Sequence, residues 1–195
     1  MLARCLKSVY EQQVEAECQL VMAQSITDGL NGIHHCSVMQ SWVLPAVRSE
    51  FVMRLADDDA LLPNHIETLL PYLGDADVVY SYDASGNRPR EDCSMWPQSH
   101  LIAELGYRNW IDGSAVAIRT SSLRAVGGWP TEWDYQAGKD VWHGGHFKGM
   151  RQDCDDHAVW YLLAQAGARF KCVPEATWVY DGAQGHNRLS EGNYA

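Results

Sequence analysis

"FVMRLADDDALLP", residues 51–63, runs from an apolar stretch into three adjacent aspartates and then to a proline. The apolar stretch reads as a strand, and Pro63 suits the first turn of a helix. Asp57, Asp58 and Asp59 therefore stand at the carboxyl end of a strand. Like charges in a row repel, and water, hydrogen bonds or a cation must offset them. A solvated turn is one reading, since Asp is a common turn residue. A metal site at a strand end is the other, and the rest of the chain has to decide.

Outward from this unit, strands and helices alternate. Leu2, Cys5, Leu6 and Val9 recur at helical spacing, predicting a helix over residues 2–12. "CQLVMA" (18–23) reads as a short buried strand, followed by the turn-rich "SITDGLNG". Ile66, Leu69, Leu70 and Leu73 line one face of the helix after Pro63, and "DVVYSYD" (77–83) is a third strand. "ASGNRPREDCSMWP" is loop, and "GSAVAIRT" (113–120) a fourth strand. A short helix follows in "TSSLRAVGG", capped by Thr120 or Ser121 and stopped by Gly127. A helix from about Asp155 to Ala166, with Val159, Leu162, Leu163 and Ala166 inward, ends at Gly167. "ARFKCVP" is the last strand, and the tail from Trp178 is loop. Such alternation predicts one α/β domain, residues 1–195, around a mostly parallel sheet. Sheets of that kind bind ligands beyond the carboxyl ends of their strands, where the aspartates lie.

Composition narrows the functional classes. With 25 acidic against 15 basic residues the net charge is −10, which argues against nucleic acid or an anionic membrane as partner. An acidic enzyme acting on a phosphorylated substrate needs a divalent cation to mask that charge. No stretch approaches the roughly 20 apolar residues of a membrane span, and no signal-peptide pattern opens the chain. The six cysteines, at 5, 18, 36, 93, 154 and 172, include no Cys-x-x-Cys pair. They read as reduced, mostly buried thiols of a cytoplasmic protein.

A second acidic cluster opens "DCDDHAVWYLLAQAGARFKCVPE", with Asp155 and Asp156 at a helix start, where the helix dipole also favours carboxylates. The order strand, acidic triplet, Pro-helix, strand, "AVGGWP", acidic pair, helix, Gly, strand, "VPE" resembles the family 2 glycosyltransferases. The resemblance implies the GT-A fold, a three-layer α/β/α sandwich that binds nucleotide sugars. It covers most of the chain, from "LARCLKSVYEQ" to "VYDGAQGHNRLS". It implies that Asp58 holds a divalent metal (Mn²⁺ or Mg²⁺) together with Asp59, and that Asp57 lies near the donor sugar or ribose. It further implies that Asp156 is the general base, with Asp155 in place of the usual Glu, and that His186 reaches the metal or phosphate. Gln24 and Asp28 fall on the donor side, and Gly128 and Trp129 on the acceptor side, where Trp129 either stacks on a sugar or belongs to the core.

The chain also departs from the family. The usual first strand, ending in Pro-Thr-Tyr-Asn, is expected to be missing, which leaves a sheet edge open to neighbours or to a partner copy. Ala23 and Gln24 replace the base-reading Asp, Ala56 the first Asp of the strand-end motif, and Leu162 the Arg of the late helix. The expected activity is a metal-dependent, inverting glycosyl transfer, hexosyltransferase-like, from a nucleotide-diphosphate sugar to an acceptor hydroxyl. Two other readings use the same chain. His143, His146, Asp153, Asp156 and His157 would form a hydrolase metal site, though their spacing is no strong zinc motif. A non-catalytic nucleotide-sugar-binding domain is the third.

Overall fold

The computed structural model describes residues 2–14, 19–22, 40–86, 91–129 and 155–180. Five strands form one sheet: β1 (Phe51–Arg54), β2 (Ala60–Leu61), β3 (Val78–Asp83), β4 (Val116–Arg119) and β5 (Phe170–Val179), in the order β1-β4-β3-β5-β2. Among the described residues, helices α1 (Leu2–Tyr10), α2 (His65–Leu69), α3 (Gln98–Leu105), α4 (Thr120–Ala125) and α5 (Asp155–Gln165) accompany them, with a further helical turn at residues 40–43.

The sheet is mixed rather than mostly parallel. Only β3 and β5 run parallel, while β1–β4, β3–β4 and β2–β5 are antiparallel. Strand direction depends on which strands become neighbours, which a single strand's pattern does not carry. β3 is central and is buried almost throughout, so it reads as a continuous apolar run. Its alternate residues feed opposite cores. Val78 and Tyr80 join Ile118, Leu105, Val159, Leu163 and Phe170 on the side of α3, α4 and α5. Val79 joins Leu69, Leu73, Ala117 and Val173 on the side of α2.

β1 and β2 follow one another in sequence yet occupy opposite ends of the strand order. A flat five-stranded sheet is about 19 Å wide, and the connection between them reaches roughly 20 Å only when fully extended. That connection is instead a compact turn, in which Asp59 N donates to Ala56 O at 3.2 Å. The sheet therefore curls, and the aspartate turn bridges its two ends. α1 docks against this bridge: Ser8 Oγ accepts from Leu61 N (3.1 Å), and Gln12 Oε1 accepts from Ile66 N (3.0 Å).

Several sequence expectations need correction. Residues 19–22 of "CQLVMA" form no strand, and Leu20 and Met22 are exposed; a short apolar run alone does not distinguish a strand. β5 continues through Trp178 to Val179 instead of ending at Pro174. The proline is tolerated because the β3–β5 register shifts between Ser81 and Tyr82, opposite residues 173–176. β4 begins at Val116, after a turn in which Ala115 has φ +59°. The N-cap of α4 is Arg119, without a side-chain cap. The helix after Pro63 starts at His65 and tightens to a 3-10 turn at Leu70–Tyr72, which contains Pro71. α3 fills a stretch that the sequence pattern left unassigned. Of the four positions expected inward, Val159 and Leu163 are buried, but Leu162 is half-buried and Ala166, just past the end of α5, is exposed. Gly167 (φ +84°) closes α5, with Ala168 N donating back to Leu163 O at 3.0 Å. Cys5, Cys93 and Cys172 are free and buried, as read; Cys18, Cys36 and Cys154 lie outside the described residues.

Candidate active site

The aspartate turn grades from solvent to interior: Asp57 is exposed, Asp58 half-buried and Asp59 only 2% exposed. Arg4 of α1 donates to Asp58 O at 2.7 Å. The turn is tied to the segment before β4, because Ala56 N donates to Ser114 Oγ at 3.1 Å. That segment is itself held by an Asx turn, Ser114 N to Asp112 Oδ1 at 2.9 Å, and by Ala115 N to Arg54 O at 2.8 Å. The positive φ of Ala115 is a costly conformation for a residue with a side chain, and it sits where the surroundings over-determine it.

Asp156, at the start of α5, is half-buried; its Oδ1 accepts from His157 N at 2.8 Å and its Oδ2 from Asn109 Nδ2 at 3.4 Å. Gly113 brings this carboxylate to the aspartate strand. A Cβ placed on Gly113 would lie 2.5 Å from Arg54 Nη1, 3.0 Å from Asp156 Cβ and 3.1 Å from Asp156 Oδ2. The guanidinium at the end of β1 and the carboxylate at the start of α5 thus converge on one point, which is open only because residue 113 has no side chain.

A narrow cleft lies beside this point. β3 pairs with β4 only through Val78 and Val79, and beyond them the two strands part. Tyr80 to Asp83 form one wall; Trp110, Asp112, Ser114 and Val116 form the other, with Trp178 between. Asp83 is 2% exposed and braces the wall: its Oδ1 accepts from Ser85 N and Tyr180 N, each at 2.9 Å, and its Oδ2 from Ser85 Oγ.

The remaining sequence candidates fall as follows. Trp129 is buried in the main core, and its carbonyl accepts from Ser41 Oγ at 2.8 Å; Gly128 (φ +82°) packs against Leu44. Asp155 opens α5. Gln24, Asp28, His143, His146, Asp153 and His186 lie outside the described residues. His157, of the hydrolase set, is 5% exposed, with Nε2 2.7 Å from Leu105 O. Burial pushes its pKa down to about 4, despite backbone hydrogen bonds that act the other way. Arg54, Ser81, Asp83, Trp110, Asp112, Gly113 and Trp178 escaped the sequence reading. The available signals were "YSYD", a strand ending in Asp, and "NWIDGS", an Asx-Gly turn ahead of a strand.

Among the described residues no three His, Cys, Asp or Glu side chains gather as a metal set. The accessible donors nevertheless have the right chemistry. Asp57 and Asp58 offer hard carboxylate oxygens, and water and substrate phosphates complete such shells. The local field is negative. The Cys5 thiol is pushed up first by burial and then by Asp57, Asp59 and Asp58, with only Arg4 opposing.

The sequence matches no protein-family model and no curated protein. Its structure is similar to the crystal structure of S. aureus TarS 1-349, a GT-A-like glycosyltransferase, with a TM-score of 0.55 at 14% identity. The fold is glycosyltransferase-like. The similarity covers 91% of this chain and 56% of the TarS chain, so this chain corresponds to little more than half of it. Among the described residues no helix is long and apolar enough to cross a membrane.

Proposed function

We propose that the protein transfers a glycosyl group from a nucleotide-diphosphate sugar to an acceptor hydroxyl, with inversion and with help from a divalent cation. The observation that carries this reading is the convergence on Gly113 of Asp156 and of Arg54, at the end of the strand that leads into the aspartate turn, in a fold similar to that of a glycosyltransferase. Asp156 takes the acceptor proton as the acceptor oxygen bonds to the anomeric carbon. The bond from that carbon to the diphosphate breaks, and the nucleoside diphosphate leaves with the electron pair. Asp57 and Asp58 would hold Mn²⁺ or Mg²⁺, which supplies charge neutralisation at the leaving diphosphate. Asn109 and the His157 backbone N–H orient the Asp156 carboxylate. Arg54 places a positive charge beside it.

Thermal-shift measurements against nucleoside diphosphates and their sugars, with and without Mn²⁺, test the donor half, because ligand binding to the folded state raises Tm. Stabilisation only when nucleotide and Mn²⁺ are both present supports the reading. Stabilisation by zinc alone, with no nucleotide effect, would replace it with the hydrolase.

A further inference from the structure

The aspartate turn leaves the sheet where the β1–β4 ladder breaks. Within the ladder Arg54 stands opposite Val116, and just before it Thr120 N donates to Glu50 O at 2.8 Å. In an antiparallel pair such hydrogen-bonded positions recur at every second residue. Carried two residues beyond Arg54, the same register would set Ala56 opposite Ser114 and give its N–H to the Ser114 carbonyl. The break prevents this. Ala115 takes a left-handed φ of +59° and gives its own N–H to Arg54 O at 2.8 Å, so Ala115 and Val116 together oppose Arg54. That is the pattern of a β-bulge, which turns the backbone ahead of it out of the ladder. The Ser114 side chain replaces the lost carbonyl: Ala56 N donates to Ser114 Oγ at 3.1 Å.

Ser114 is 3% exposed, and its own N–H is held by Asp112 Oδ1 at 2.9 Å. The residues before it are tied to α5. Asn109 Nδ2 donates to Asp156 Oδ2 (3.4 Å), and Ile111 O accepts from Trp160 Nε1 (3.0 Å). One stretch, residues 109–115, therefore holds the Asp156 carboxylate on one side and the aspartate turn on the other. The turn is pinned at its far end by a second serine. Leu61 N donates to Ser8 Oγ at 3.1 Å, and the Ser8 hydroxyl gives its hydrogen to Cys5 O at 2.7 Å. Between the two serines, Asp59 N donates to Ala56 O at 3.2 Å. The peptide groups on both sides of the Ala56 Cα are then fixed, one by Ser114 and one by Asp59. With them is fixed the direction in which Asp57 and Asp58 leave the strand.

We propose that Ser114 is the positioning residue of the aspartate turn: its hydroxyl oxygen, standing in for the ladder carbonyl lost at the Ala115 bulge, holds Asp57 and Asp58 ready for a divalent cation. That a cation binds there rests on the transferase reading; the hydrogen bond does not. Ser114→Ala leaves the Ala56 N–H without its acceptor and frees the turn to shift.

The test uses two readouts on the full chain. Amide hydrogen exchange of the metal-free protein, followed by NMR, reports the hydrogen bond. The Ala56 amide should exchange slowly in the wild-type protein and about three- to ten-fold faster in Ser114→Ala, the worth of one neutral hydrogen bond. Titration with Mn²⁺ alone, with the free ion read by electron paramagnetic resonance, reports the positioning. Ser114→Ala should bind Mn²⁺ about three- to ten-fold more weakly, and Ser114→Thr, which keeps the hydroxyl, should restore both values. Ser122→Ala is the control for lost stability, because Ser122 Oγ donates to Asp77 Oδ1 at 3.0 Å beyond the opposite end of β4. Its Mn²⁺ affinity should equal that of the wild type. If Ser114→Ala fails to fold, Ser114→Cys, with only a weak sulfur acceptor, makes the same comparison. Unchanged Mn²⁺ affinity in the folded variant, or an Ala56 amide that exchanges equally fast in both proteins, overturns the positioning role and leaves the transferase standing. A wild-type protein that binds no Mn²⁺ removes the cation from the transferase reading and this role with it.

Discussion

Gly113→Ala tests the convergence point directly. The new methyl would lie 2.5 Å from Arg54 Nη1, so the arginine side chain must shift to admit it. The contacts with Asp156, 3.0 Å to Cβ and 3.1 Å to Oδ2, are harder to relieve, because Cβ is fixed to the first turn of α5. That turn, or the segment before β4, must shift by a few tenths of an ångström. Overpacking costs about 1–3 kcal/mol, and the loss here belongs in that range. The effect on transfer should be larger in proportion. Misplacing a catalytic group by about 1 Å costs on the order of 10²-fold, so a smaller displacement of Asp156 should slow transfer roughly ten-fold or more. Gly74→Ala is the control: nothing lies within 4 Å of a Cβ there, and its backbone is not left-handed. It should be neutral, or stabilising by about 0.4–1 kcal/mol. Urea denaturation gives the stabilities, and initial transfer rates with the donor found by thermal shift give the activity. A Gly113→Ala protein that matches Gly74→Ala in both would refute the packing of Arg54 and Asp156 around this glycine.

The two acidic clusters should separate by role. Asp58→Asn should weaken Mn²⁺-dependent nucleotide binding, whereas Asp156→Asn should leave that binding intact and cut transfer by about 10²- to 10⁴-fold; calorimetric titration with a transfer assay distinguishes them, and equal loss of metal-dependent binding in both would argue for one shared metal cluster. His65 and His157 should make the fold acid-sensitive. Their folded pKa values, about 4, lie below the ordinary 6.5, so the unfolded chain takes up protons first on acidification. Stability is therefore full above pH 6.5 and falls towards pH 4, by on the order of 3 kcal/mol for each histidine; urea midpoints measured across that range should fall less steeply in His157→Asn. Asp77 adds a loss at lower pH. Burial alone would raise its pKa, but hydrogen bonds from Arg169 N and Ser122 Oγ and the charges of Arg169 and Arg119 bring it below the ordinary value. Its contribution is present above the unfolded carboxyl range and vanishes as pH falls through the lowered folded value, so Asp77→Asn should destabilise at pH 7 by about 1–3 kcal/mol, with the deficit shrinking on strong acidification.

Local pattern was enough for the elements whose cause is local. The aspartate turn after β1 follows from an apolar run meeting three acids, and α5 from apolar spacing closed by Gly167. β3 follows from a dense run of Val and Tyr. The order of these pieces also carried the resemblance that the glycosyltransferase-like fold supports at the coarse level. "CQLVMA" misled because an apolar run becomes a strand only where a neighbouring edge takes its hydrogen bonds. β5 outran its proline because a bulge against β3 absorbs it. The antiparallel pairings, the curl that lets the compact aspartate turn bridge β1 and β2, and the parting of β3 from β4 are properties of pairs of distant segments. So are the meeting of Arg54 with Asp156 across Gly113 and the buried hydrogen-bond chain of His65, Thr177 and Ser81, whose members lie up to 112 positions apart. Sequence by itself determined which segments carry acids, caps and apolar faces, because those depend on residues a few positions away. Only the tertiary structure decided which of those residues share a site, because strand neighbours and sheet curl arise from burying the whole core at once.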